Sequence, residues 1–283
     1  MRLFAISDLH LGSPSNRAAL AELGTYPNDW LVLAGDVGET EEHLRFALDH
    51  VTRRFAKVLW CPGNHDLWAV DPKERPLRGE AKYHRLVDMC RSAGVLTPED
   101  PYPRWPGEAG EGLAALGGIM VAPLFLLYDY SFRPDDVAEE GAVAWAAETG
   151  VMCGDEELLS PAPHASRGSW CRTRVELTIP RLSSVVAQGV RPVLINHYPL
   201  RADLIDLPDM QRFSIWCGTR RTEDWHDRFK AIAAVYGHLH KRDTQMRDGV
   251  RFDEVSLGYP QQWNRRRGIE AYLRQILPVR MPA

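Results

Sequence analysis

The sequence has no CxxC pair, no basic excess and no uninterrupted apolar run long enough to span a bilayer. Its five cysteines, Cys61, Cys90, Cys153, Cys171 and Cys217, are odd in number and widely scattered. That spacing excludes a zinc knuckle or a disulfide framework and suits free thiols in a reducing compartment. The formal net charge is -4. Chains that live on nucleic acid usually carry a basic surplus, so the charge disfavours such a partner and leaves only a local basic groove open. The first apolar stretch, Leu3 to Ile6, is too short for a signal-peptide core, and Asp8 and His10 follow at once. A cytoplasmic protein with no membrane partner is expected.

What is present is an ordinary globular balance over 283 residues, with 45% hydrophobic and 25% charged residues. The first third alternates strand and helix. Arg2 to Ile6 reads as a strand, and Asn16 as the N-cap of a short helix that Gly24 stops. Trp30 to Ala34 is a continuous apolar strand, Glu41 to Phe55 has helical periodicity, and Lys57 to Cys61 is a third strand. Such repeats imply right-handed crossovers and a largely parallel sheet. The middle, about 67–190, reads as a loop-rich insertion or cap. It holds a Pro/Gly-rich stretch from Pro98 to Gly112, a strand candidate from Leu116 to Pro123 and helices over Asp135 to Thr149 and Arg174 to Gln188. Between them, Gly150 to Gly168 reads as a long loop of the kind that often covers a site. Strand character returns at Pro192 to Asn196 and Ala233 to Tyr236, and Thr244 to Ser256 reads as a hairpin turning at Asp248-Gly249. With no repeat and no composition break, residues 1–283 read as one domain.

The informative feature is where the polar side chains fall. Asp8 and His10 follow the first strand, Asp36 the second, Asn64 and His65 the third, His197 the Pro192–Asn196 strand, and His238 and His240 the Ala233–Tyr236 strand. In an open α/β sheet the carboxyl ends of the strands form the ligand crevice, so five segments deliver imidazole, carboxylate and amide groups to one edge. Gly35, Gly63 and Gly237 each precede one of these residues, where a chain leaving a strand turns sharply. Imidazole, carboxylate and amide oxygen together suit borderline divalent ions, and the lack of thiolate argues against a structural zinc. With one carboxylate bridging, seven ligands serve two ions and leave positions for water and substrate.

Asp8-x-His10, Gly35-Asp36-x-x-Glu39, Gly63-Asn64-His65-Asp66, Asn196-His197 and Gly237-His238-x-His240 together resemble the five signature blocks of the calcineurin-like metallophosphoesterases, in that family's order. The resemblance implies a four-layer α/β/β/α sandwich of two mixed sheets flanked by helices, with the terminal hairpin in the second sheet. It implies two divalent ions, Mn foremost, with Fe, Zn, Co or Ni as alternatives. Asp8, His10, Asp36 and His240 would hold one, and Asp36 would bridge to a second completed by Asn64, His197 and His238. His65 would act near the leaving-group oxygen as general acid or charge, with Glu39 standing where the family often has an Asp that orients it. The chemistry implied is hydrolysis of a phosphate monoester or diester by a metal-activated water, without a covalent enzyme intermediate.

A small phosphorylated substrate is the expected partner. A nuclease or nucleic-acid end-processing enzyme, a protein phosphatase and a non-catalytic scaffold are the rival readings. The last is disfavoured because no ligand position is missing. Arg220-Arg221, between two ligand segments, is expected to meet a second anionic group of the substrate. Arg265-Arg266-Arg267 reads as a solvated face or a salt-bridge partner. Trp68, Trp216 and Trp225 read either as pocket walls or as core.

Overall fold

Leu3, Phe4, Ala5 and Ile6 are all buried, because their strand lies in the middle of a sheet with layers on both faces. The computed structural model describes residues 1–70, 77–110 and 117–279. Its elements in order are β1 (Leu3–Ile6), α1 (Pro14–Ala21), β2 (Tyr26–Ala34), α2 (Glu41–Val51), β3 (Phe55–Cys61), α3 (Asn64–Leu67), α4 (Glu80–Ser92) and β4 (Ile119–Pro123). There follow α5 (Ala142–Ala147), α6 (Asp155–Leu158), α7 (Arg167–Ala187), β5 (Arg191–Ile195), α8 (Trp225–Arg228), β6 (Ala233–Tyr236), β7 (Thr244–Arg247), β8 (Val250–Glu254) and β9 (Arg274–Leu277).

One sheet runs β3-β2-β1-β9 and the other β4-β5-β6-β8-β7. Both are mixed: β9 is antiparallel to β1 and β7 to β8, while the remaining neighbours are parallel. Alternation along the strands builds two cores. Leu3, Ala5, Val32 and Leu59 meet Val121, Val193, Ile195 and Val235 between the sheets. Phe4, Ile6, Leu31 and Leu33 turn the other way and join Leu44, Leu48, Tyr83 and Leu86 of α2 and α4. The two sheets flanked by helices match the expected fold.

Several local expectations need correction. Asn16 is not an N-cap: α1 starts at Pro14 after an extended Ser13. The buried Asn16 instead donates to the Leu9 and Gly258 carbonyls and accepts from Trp263 Nε1, tying the loop after β1 to a distant segment. The helix expected to reach Phe55 ends at Val51, because Phe55 already begins β3. The helix expected from Arg174 starts at Arg167. Ser166 caps it, its Oγ accepting from Ser169 N at 3.0 Å while Ser169 Oγ caps Ser166 N in return. Over Asp135 to Thr149 there is only a 3-10 turn, Glu139–Gly141, followed by the six residues of α5. The stretch read as loop-rich also carries α4, and Gly150 to Gly168 contains α6. Leu116, the first residue of the β4 expectation, and positions 111 and 112 of the Pro/Gly-rich stretch lie outside the described residues. The hairpin formed where expected, whereas β9 was not foreseen.

Candidate metal centre

Each sheet ends in sharp turns. Asp8, His10, Asp36, His238 and His240 all have positive φ, between 42° and 73°, a region that side chains other than glycine seldom adopt. Such positions store about 1–3 kcal/mol each and persist only where the surroundings over-determine them. Here Asp8 N donates to Gly35 O at 3.0 Å, His10 N to Asp36 O at 3.1 Å and Gly237 N to His197 O at 2.8 Å, lacing the turns together. Gly35 has φ 90°, and a Cβ there would lie 2.5 Å from His197 Nδ1. At Gly63 a Cβ would lie 2.6 Å from the Asp36 backbone nitrogen. The glycines are therefore required by close packing of the crossing turns.

The turns bring all seven expected ligand residues to one edge. His10 Nε2, His240 Nε2 and Asp8 Oδ1 form a triangle with sides of 3.1, 3.0 and 3.9 Å. That is the spacing of donors that each stand about 2 Å from one ion. Asp36, His197 and His238 form a second group, with His197 Nε2 at 3.3 Å from Asp36 Oδ2. His197 Nε2, His238 Nε2 and Asn64 Oδ1 are buried without a hydrogen-bond partner. Three unpartnered buried polar atoms in one cluster are costly unless something electrophilic lies among them. Burial, with the His197 charge second, pushes His238 down to about 3. Burial likewise pushes His10 down to about 4. Both therefore keep free lone pairs. Burial opposes a charge on His197 too, but Asp36 and Asp8 outweigh it and raise that imidazole to about 10. Without an ion the carboxylates hold a proton on His197, and a cation takes its place. The donor set fits divalent metal ions.

The calcineurin-like phosphoesterase description matches residues 1–242. Over 279 residues the chain is 46% identical to the [Acyl-carrier-protein] phosphodiesterase PptH of Mycobacterium tuberculosis (strain ATCC 25618 / H37Rv), covering 98% of this chain and 83% of the relative. The crystal structure of Phosphopantetheinyl Hydrolase (PptH) from Mycobacterium tuberculosis superposes with a TM-score of 0.91 at 45% identity, covering 100% of this chain and 98% of that one. The chain belongs to the calcineurin-like phosphoesterases. As a metallophosphoesterase it is a hydrolase of phosphate esters, of a family that generally uses a dinuclear divalent-metal site.

Around this metallophosphoesterase cluster lies a shell of orienting groups. Ser7 Oγ, Ser256 Oγ and His238 N, at 2.5, 2.7 and 3.1 Å, donate to Asp8 Oδ2 and leave Oδ1 facing the triangle. Ser256 N and Oγ also meet Glu254, whose carboxyl burial lifts to about 7. His197 Nδ1 donates to Ala34 O at 3.0 Å, and His240 Nδ1 donates to Gln262 Oε1 at 2.8 Å, so both rings present Nε2 to the cluster. Asp66 accepts from the amides of Asp36, Val37, Gly38 and Gly63, pinning the ends of β2 and β3 to each other.

His65 lies over the cluster, with Nε2 at 3.9 Å from Asp36 Oδ2 and Nδ1 at 3.3 Å from Glu39 Oε1. Burial disfavours its charge, yet Asp36 and Glu39 raise its pKa above the usual imidazole value. Glu39 in turn lies against His43, whose Nδ1 is 3.2 Å from Glu39 Oε2. Trp68 leans on His65 with ring centroids 3.6 Å apart, Tyr259 stacks on His10 at 4.4 Å and Phe213 on His238 at 5.6 Å. With Leu207 and Met210 these rings wall a cavity of about 290 Å³ that opens on the cluster. Trp216 and Trp225 are fully buried core residues instead. Arg220 and Arg221 do not line this cavity: Arg220 binds Ser131, Arg133 and Asp135, and Arg221 faces Asp129. The expected substrate contact is thus corrected, because the loop folds back on 129–135.

Sequence reasoning missed Asp155. It is fully buried in α6, and its Oδ1 accepts from Asn64 Nδ2 at 2.9 Å and from Trp68 Nε1 at 2.6 Å. The first bond fixes the Asn64 amide with Oδ1 toward the cluster; the second holds the ring that supports His65. Asp155→Ala frees the amide to rotate and is expected to weaken binding at the Asn64 side about 10–100-fold, the usual effect of losing such a supporting bond. Titration of the metal-free variant with Mn should show one site weakened and the other unchanged; two unchanged affinities would refute the role.

Proposed function

We propose that the chain is a phosphodiesterase that removes the phosphopantetheinyl group from an acyl carrier protein. The observation that carries this reading is the match to PptH over 98% of the chain, in a protein that offers all seven donor residues at one edge. Read together, the relatives' names describe a diester between a phosphopantetheinyl group and a carrier protein. The cavity supports it. Beyond the candidate ligands, His65 and Gln262, its walls are mostly aromatic and aliphatic, and no Lys or Arg lines it among the described residues. An uncharged, flexible arm suits such walls better than a second phosphate.

Asp8, His10, Asp36 and His240 would hold one ion, and Asp36, Asn64, His197 and His238 the other. Mn is the first choice for this imidazole, carboxylate and amide set, with Fe, Zn, Co and Ni as alternatives. When bound, such a pair supplies Lewis acidity toward the phosphoryl oxygens and makes water a nucleophile near neutral pH. The chain's own work is to orient and to move a proton. His65 Nε2 delivers a proton to the departing oxygen while Glu39, on Nδ1, holds the ring and favours its charged form. We read residues 1–283 as one domain, with 67–190 as an insertion that, besides supplying α4, β4 and α7 to the layers, brings Trp68, Cys153 and Gly154 to the cavity. None of the described helices is long and apolar enough to cross a membrane, and all five cysteines are free, which suits a reducing cytoplasm.

Incubating the Mn-loaded protein with a phosphopantetheinylated carrier protein should release phosphopantetheine and the unmodified carrier, read by intact mass. Turnover of a chromogenic phosphodiester with no cleavage of the carrier would refute the substrate while leaving the chemistry in place.

A further inference from the structure

The Arg265-Arg266-Arg267 run is not simply a solvated face. Its 3-10 turn ends with Arg267 on the wall of a second cavity of about 850 Å³, which also receives Arg242, Arg251 and Arg274. Asp253 is the one carboxylate on that wall. Its buried oxygens lie 2.7 Å from Arg251 Nε and 3.8 Å from Arg274 Nε, so one negative charge serves two guanidiniums. Arg242 Nη1 spends its bonds on the Val255 and Ser256 carbonyls, which bring no charge. Arg274 Nε is buried without a hydrogen-bond partner. Four guanidiniums against one lining carboxylate, with the buried Glu254 also near Arg242, leave a local surplus of positive charge on a chain whose net charge is -4.

The groove is linked along the chain to the metal edge. Arg242 follows His240 by two positions, and Gln262, which lines the metal cavity, precedes the arginine turn by three. The metal cavity, at about 290 Å³, accommodates a scissile group and its arm but not a folded protein. The protein half of a macromolecular diester must therefore rest outside it. We propose that the groove docks an acidic protein surface, the carrier half of the substrate, while the arm reaches the metals; this rests on the carrier-protein reading above. The four arginines come from four separate segments, the loop before β7, β8, the 265–267 turn and β9. Donors spread along an edge meet distributed carboxylates, whereas a single phosphate needs donors converging on one point.

The test compares metal-loaded wild type, Arg267→Glu and Arg267→Glu/Arg274→Gln on a phosphopantetheinylated carrier protein and on a chromogenic phosphodiester. Rim charges act mainly on encounter, so KM for the carrier should rise about tenfold in the double variant with kcat nearly unchanged, and the chromogenic diester should be unaffected. Added salt should raise the wild-type KM for the carrier more steeply than the variant's. Arg267 is exposed, so the single variant decides the matter should the double one fail to fold. An unchanged carrier KM in Arg267→Glu with an unchanged salt slope would overturn the proposal. So would saturable binding of inorganic phosphate that Arg267→Glu abolishes without altering the carrier KM, since that assigns the groove to a small anion. If wild type cleaves the chromogenic diester but never the carrier, the substrate reading itself falls and the groove proposal with it.

Discussion

Asp36→Asn is expected to lower metal content from about two ions per chain to one or fewer and to cut phosphodiester turnover by about a thousandfold or more. Asp36 belongs to two of the ligand groups, one with His197 and His238 and one with His10 and His65. Its Oδ1 accepts from His65 N at 2.9 Å, and its Oδ2 faces His197 Nε2 at 3.3 Å. An amide keeps the first bond, so the turn survives, but it offers a neutral oxygen where a bridging charge is needed. The metal-free state supplies a control for folding. His197 is held at about 10 chiefly by Asp36 against the cost of burial. Removing that charge lowers its folded-state pKa, so the His197 proton should leave at lower pH in the variant, as an NMR titration would register. Elemental analysis that finds two ions in well-folded Asp36→Asn would refute the bridging assignment.

The convergence of the candidate ligands on one edge was legible because they cluster just after apolar runs that read as buried strands, and Gly35, Gly63 and Gly237 mark three of the turns. Such signals are local. What escaped depends on contacts far along the chain. The role of Asp66 lies in accepting from the amides of 36–38, some thirty residues upstream. Asp155 comes from a stretch without periodicity, and only the fold shows that its carboxylate meets Asn64 and Trp68. Gln262 and Ser256 follow the last ligand in ordinary turn sequence, yet they orient His240 and Asp8. The strand β9 was hidden because it is four residues long and opens with Arg274-Gln275, so no alternation could establish itself. Arg220-Arg221 misled for the converse reason. Position between two ligand segments suggested the site, but Asp129, Asp135 and the Ser131 carbonyl capture both side chains first.

His65→Ala is expected to leave both ions in place while lowering kcat about 10²- to 10⁴-fold, the usual reach of a general acid. The contrast matters because His65 also stands within ligand distance of His10 and Asp36, so geometry alone admits it as a metal ligand. Its surroundings favour the acid. Nδ1 is engaged by Glu39 at 3.3 Å, the ring is braced by Trp68, and Asp36 and Glu39 together raise its pKa despite burial. A raised pKa extends the protonated form of the ring toward higher pH, and raising the pH through it removes the acid, so wild-type turnover should decline on the alkaline side where that of His65→Ala does not. The defect should be largest for a leaving group that is a strong base, such as the alkoxide of a carrier-protein side chain. It should shrink for nitrophenolate, which departs without a proton. Glu39→Gln keeps a hydrogen-bond acceptor and removes a charge, so it should cost less, about tenfold, and shift the alkaline limb to lower pH. Loss of metal from His65→Ala, or an equal defect for both leaving groups, would mean that His65 holds an ion rather than a proton.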